Sequence, residues 1–101
     1  MNAIIEENKE AIKNLCDKYF VDSIYLFGSA NTERFNDKSD FDFLISFNDK
    51  LELLDYADNF FGFQFALENL LGRRVDLLEE KCLSNPYLAE EIEETKLLIY
   101  G

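Results

Sequence analysis

The sequence predicts an α/β domain, a small mixed β-sheet with helices packed on it. Short β-branched and aromatic runs of strand length are interleaved with longer stretches whose apolar residues recur at helical spacing. The resulting order is helix, strand, loop, strand, helix, strand, helix, which is the pattern of a layered α/β fold. A chain of 101 residues, 48% of them hydrophobic and ten of them Phe, is enough for one core and too small for two. Residues 1–101 are therefore expected to be one domain.

The elements follow in order. Ile4/Ile5, Ile12, Leu15/Cys16 and Tyr19/Phe20 stand three and four apart with Glu and Lys between them, predicting a helix from 4 to about 20. Ser23 to Phe27, bounded by Gly28, reads as a strand buried on both faces. Residues 29–39 have the polar composition of a loop. Phe41 to Phe47 is the second strand, with Phe41, Phe43, Ile45 and Phe47 on one face and Asp40 and Asp42 on the other. Asn48-Asp49-Lys50 turns the chain. Residues 51–71 form a long helix with Leu53, Tyr56, Phe60, Phe63, Leu67 and Leu71 on its buried face; Leu54, Phe61 and Phe65 are expected to widen that face. Gly62 inside the helix costs roughly 1 kcal/mol relative to Ala, and Gly72 stands where a C-terminal cap glycine belongs. Arg74 to Leu78 is a third strand, with Val75 and Leu77 facing one way and Asp76 and Leu78 the other. Asn85-Pro86 is an N-cap followed by first-turn proline, opening a helix to about Glu94. Lys96 to Tyr100 is a short last strand.

Composition removes several functions. The formal charge is −11, and only Arg73-Arg74 set two basic residues side by side, so neither a nucleic-acid surface nor an anionic membrane surface is expected. The absence of His removes imidazole metal sites and His-based nucleophile pairs. Cys16 and Cys82 have no metal-ligand spacing, and Cys16 falls on the apolar face of the first helix. With no leader-like N-terminus and no run of membrane-spanning length, a reduced, cytoplasmic protein is expected.

The chemistry lies between Ser23 and Phe47. Asp40 and Asp42, one strand repeat apart, repel each other in an element where Asp packs poorly. If the Asp76 strand is a neighbour, three carboxylates converge. Mg²⁺ suits such hard oxygen ligands and is usually held by one or two carboxylates plus substrate phosphates. A lone Asp-x-Asp in an acidic protein is more often a solvent-facing pair. The Gly28-Ser29 turn ten residues upstream shifts the balance, because glycine lets backbone approach a ligand and backbone N–H groups can hold phosphate oxygens. Arg34, Lys38, Arg73 and Arg74 could neutralise phosphate; Arg74, two residues before Asp76, is the best placed of the four.

Gly28-Ser29, ten residues, Asp40-x-Asp42 and a later strand Asp76 together resemble the DNA polymerase beta-like nucleotidyltransferase superfamily, and more closely its minimal nucleotidyltransferase (MNT) branch. The resemblance runs from the entry helix to the LLIYG tail. It implies that Gly28 and Ser29 contact the triphosphate of ATP. It further implies that Asp40, Asp42 and Asp76 are catalytic and ligate Mg²⁺ in a two-metal site, with Asp76 helping to activate the acceptor hydroxyl. Minimal members are commonly antitoxins that adenylylate a HEPN-type ribonuclease toxin, so the resemblance implies a toxin partner and a homo- or hetero-oligomer. The stretch Ala30-Asn31-Thr32-Glu33-Arg34 departs from the basic, Gly-containing stretch of many members. Two alternatives follow: a catalytically weak antitoxin that occludes its partner, or a transferase acting on a small molecule such as an aminoglycoside.

Overall fold

A computed structural model describes residues 2–31, 35–36 and 38–101, with the side chains of Ser29 and Asn31 outside the description. Four strands form one sheet in the order β3-β2-β1-β4, made of β1 (Val21–Phe27), β2 (Phe41–Phe47), β3 (Val75–Glu79) and β4 (Leu97–Tyr100). β1 pairs antiparallel with β2 and with β4, while β2 and β3 are parallel. A parallel pair needs a crossover, and the helix α3 (Tyr56–Leu71) supplies it. The mixed sheet expected from the sequence is what forms.

The alternation within each strand divides the sheet into two unequal faces. On one face Ile24, Leu26, Phe41, Phe43, Ile45, Phe47, Val75 and Leu77 join the main core. Ile5 of α1 (Ala3–Glu7), Ile12 and Cys16 of α2 (Lys9–Lys18), and Phe63, Leu67 and Leu71 of α3 close over them. On the other face Phe27 and Leu44 meet Ile92 of α4 (Pro86–Thr95), with Tyr25, Leu78, Leu83 and Leu88 half-buried around them. Asn85 caps α4 as expected, its side-chain oxygen accepting from the N–H of Tyr87 at 2.9 Å and of Leu88 at 3.3 Å.

Four expectations need correction. The entry helix is two helices, because the Asn8 side chain donates to the Ile4 carbonyl at 2.8 Å and its backbone leaves helical geometry (ψ 9). This is the local competition with backbone that makes Asn a poor helix-interior residue. The second helix ends at Lys18, and Phe20 takes φ 63, turning the chain so that β1 begins at Val21 rather than Ser23.

The long helix begins only at Tyr56, after a 3₁₀ turn over Leu53–Asp55. Its buried face is narrower than the apolar residues suggest: Leu53, Leu54, Phe61 and Phe65 are all exposed, Leu54 at 91%. Finally, β3 is shifted one residue onward and ends on Glu79, a carboxylate only 8% exposed. Gly62 proves to be a packing residue: a Cβ there would stand 2.8 Å from the Tyr19 ring, so glycine is what lets α2 and α3 approach. Gly72 ends α3 in left-handed geometry, φ 67, as a cap should. Among the described residues no helix is long and apolar enough to cross a membrane.

Candidate nucleotide and metal site

The site grows out of the strand period. With the odd positions of β2 committed to the main core, Asp42 must point to the opposite face, beside Leu44. The registers then bring two partners to it: Asp76 sits directly across the parallel β2–β3 pair, and Phe27 lies opposite Asp42 on β1. Adjacent residues in a parallel pair project to the same face, so the Asp42 and Asp76 carboxyls meet and hydrogen-bond. Asp42 is half-buried and Asp76 exposed. Asp40, half-buried, lies just before β2 rather than within it.

The electrostatics follow from that crowding. Burial, the facing charge and hydrogen bond of Asp76, and the charge of Asp40 push the Asp42 carboxyl up to about 6. Like charges at one site disfavour the ionised form. A cation would relieve the same repulsion.

Gly28 borders the site beside Asp42. It adopts φ 76, a left-handed conformation that L side chains rarely take, and opens a 3₁₀ turn over Gly28–Asn31. A Cβ on Gly28 would stand 2.6 Å from Oδ2 of Asp42, so only glycine leaves the carboxylate open on that side. Ser29 is the second residue of that turn.

Three side chains hold the strands in place, of which the sequence suggests only Arg73, and in another role. Arg73, rather than Arg74, is the engaged cation. Its guanidinium donates to the carbonyls of Asn36 at 2.6 Å and Ser39 at 3.1 Å, and lies 4.5 Å from the centre of the Phe35 ring. It thereby anchors the segment that leads into Asp40. Arg74 is exposed, and its carbonyl accepts from Phe41 N–H at 3.1 Å, opening the β2–β3 ladder. From α3, Gln64 donates to the Val75 carbonyl at 2.8 Å and Glu68 accepts the Val75 N–H at 3.1 Å, securing β3 next to Asp76. No sequence signal marks these contacts, except that Gln64 and Glu68 form an i, i+4 polar pair in the apolar second half of α3. Lys38 is exposed; Arg34 and Glu33 lie outside the described residues.

The structure therefore joins Asp42, Asp76 and Gly28 and sets Asp40 close enough to add its charge. Among the described residues no group of three acidic or thiol side chains is arranged as a finished metal cage. The donor set nonetheless fits Mg²⁺, which needs only one or two carboxylates when phosphate oxygens and water complete its shell. The space that a Cβ on Gly28 would fill lies directly in front of Asp42.

Comparison with known proteins gives the chain a family and a fold. The nucleotidyltransferase domain model matches residues 8–99. A protein of Methanocaldococcus jannaschii named "Putative protein adenylyltransferase" is 37% identical, over 96% of this chain and 90% of its own length. The solved structure of a "putative minimal nucleotidyltransferase" superposes with a TM-score of 0.71 at 32% identity, covering 92% of this chain and 90% of that one. At lower identity the fold alone is shared with chains of two toxin–antitoxin structures. One, solved with AMP-PNP, gives a TM-score of 0.72 at 23% identity over 93% of this chain and 73% of that one. The other holds a tri-AMPylated Shewanella oneidensis HEPN toxin with its MNT antitoxin, and gives 0.66 at 21% identity over 95% and 71%.

Proposed function

The chain belongs to the nucleotidyltransferase domain family, and from that membership we propose that it transfers AMP from ATP to a hydroxyl of a partner protein, with Mg²⁺ required. The observation that carries this is the Asp42–Asp76 pair, side by side across β2 and β3 and bordered by a glycine that cannot be replaced without covering it. Asp40, Asp42 and Asp76 would hold Mg²⁺, and the Gly28-Ser29 turn would take the triphosphate. A bound divalent ion supplies charge neutralisation for the triphosphate and the departing pyrophosphate.

The chain's own part is positional. Gly28, lacking a side chain, lets phosphate reach the carboxylates. Asp42, tucked between strands, keeps its orientation, while exposed Asp76 faces the acceptor. The acceptor oxygen forms a bond to the α-phosphorus as the bond from that phosphorus to the α–β bridging oxygen breaks. Pyrophosphate leaves, and the hydroxyl proton passes to the carboxylate cluster, with Asp76 receiving it.

The partner is proposed to be a HEPN-type toxin, which makes the protein an antitoxin working in the cytoplasm. Support comes from the fold shared with the antitoxin of an AMPylated toxin complex and from the M. jannaschii adenylyltransferase relative.

The test uses ATP labelled on its α-phosphate, Mg²⁺ and a lysate of the source organism, with an Asp40→Ala/Asp42→Ala double variant as control. The expected result is one labelled acceptor band that disappears with the double variant or with EDTA. Labelling that persists with the double variant would refute the assignment. A double variant that still neutralises the partner would mean neutralisation by occlusion alone.

A further inference from the structure

Away from the carboxylates, the start of α3 and the end of β3 leave a cleft of about 300 Å³, lined by Tyr56, Phe60, Phe61, Leu77, Glu79 and Cys82. That volume is at the lower end for a ligand-binding pocket. Its walls are apolar, and Phe61 on its rim is 55% exposed. Leu53, exposed at 89%, extends the apolar surface beyond Tyr56, where a second depression shares both Tyr56 and Glu79. Solvent-exposed aromatic and leucine side chains grouped around a cleft mark an interaction surface.

Glu79 sets the chemistry of what fits. It is buried on an apolar wall, accepts from Lys81 N–H at 3.2 Å and lines the cleft beside Tyr56. No cation pairs with it among the described residues. A desolvated carboxylate is costly without a counter-charge, and the complementary group is an ammonium or guanidinium on an aliphatic stem. A second copy of this chain, at −11, is a poor source of it.

We propose that the α3–β3 cleft is a docking groove for a basic, apolar segment of the partner protein, its Lys or Arg reaching Glu79 and its apolar side chains packing on Phe60, Phe61 and Leu77. This rests on the reading that the acceptor is a protein. Asp76 and Glu79 stand three residue steps apart on β3, about 10 Å at the rise of an extended chain, and alternate to opposite faces of the same edge strand. A partner held in the groove is thereby tethered on the same sheet edge as the transfer site. Docking on one surface and chemistry on another lets binding energy from remote contacts bring an acceptor hydroxyl to the carboxylates.

The probe is a fluorescent amphipathic Leu/Lys helix of about 18 residues, with its Leu/Glu counterpart as control, titrated into the full chain by polarisation. The wild type is expected to bind the basic peptide and ignore the acidic one. Glu79→Gln is expected to weaken binding about tenfold, and Phe61→Asp at least as much, while exposed Glu94→Gln changes nothing. Bound peptide should slow alkylation of exposed Cys82 severalfold. Phe61→Asp adds negative charge, so unspecific attraction to an acidic protein would tighten rather than weaken with it. That outcome, or equal binding by Glu79→Gln, or an unprotected Cys82, would overturn the proposal. So would failure of peptide binding together with a dimer, seen by sedimentation, that Phe61→Asp dissolves, since a second copy would then own the groove. The Asp40/Asp42 double variant should bind peptide as the wild type does. Loss of transfer and loss of docking are therefore separable, and a failed peptide test leaves the labelled-ATP test standing.

Discussion

The two faces of the sheet use the same strands for opposite ends. One carries an unbroken set of apolar side chains from all four strands and three helices, with Phe41, Phe43, Phe63, Ile12 and Ile24 wholly buried. The other has, among the described residues, only Phe27, Leu44 and Ile92 buried, and its remaining surface presents Asp42 and Asp76. The first face stabilises the fold. The second tolerates a carboxylate pair in which burial first, and then the facing Asp76, lifts Asp42 to about 6. That tolerance depends on the rigidity supplied from behind, because β2 contributes its odd residues to one face and Asp42 to the other.

The comparison can be broken most directly by truncation. Phe43→Ala, at a position with no exposure, is expected to cost about 4 kcal/mol in urea denaturation, as large core truncations do. Leu44→Ala, next in sequence but on the thinner face, is expected to cost about 2 kcal/mol, at the low end for such truncations, because fewer neighbours close over it. Equal losses would mean that the two faces do not differ as described.

A change of opposite sign sharpens the contrast. Asp42→Asn removes a charge that the fold disfavours. Because the folded carboxyl titrates near 6 against an ordinary value of 3.8, the folded state binds the proton more tightly than the unfolded one. The stability that this confers is complete below about pH 4 and is lost as pH rises through 6. Asp42→Asn should thus match the wild type at pH 4 and exceed it at pH 8, by about 1 kcal/mol after discounting for solvent screening at this half-exposed group. A variant less stable than wild type at pH 8 would show that the pair is held together rather than strained.

The smallest effect concerns the cysteines. Burial, with the neighbouring charge of Asp17, pushes the Cys16 thiol up to about 12, whereas Cys82 is exposed. Alkylation at pH 8 should modify Cys82 alone until the protein unfolds, as mass spectrometry would show.

How much of this was legible beforehand depends on the range of the interaction. Period 2 in Phe41 to Phe47 already separates Asp42 from the Phe residues, and the Asn85-Pro86 cap is local, so both were readable. The adjacency of Asp42 and Asp76 is not fixed by the sequence pattern, since parallel pairing is a property of the assembled sheet. Residue type misled at Leu53, Leu54, Phe61 and Phe65: an apolar side chain shows that burial is favourable, and the available neighbours determine whether it happens within one chain. The anchoring role of Arg73 has no sequence signal because its partners, Phe35, Asn36 and Ser39, lie more than thirty residues away. The break at Asn8 and the left-handed Phe20 were local, but each lay inside an apolar period strong enough to hide it.

The central claim is that the thin face, with its carboxylate pair beside Gly28, is a metal-dependent nucleotide site. Calorimetric titration of ATP into the purified chain, with and without Mg²⁺ and with Asp42→Asn in parallel, tests it most directly. Binding that requires Mg²⁺ and is lost in the variant is the expected result. Binding of equal strength in wild type and variant, or none in the wild type with Mg²⁺ present, would contradict the account.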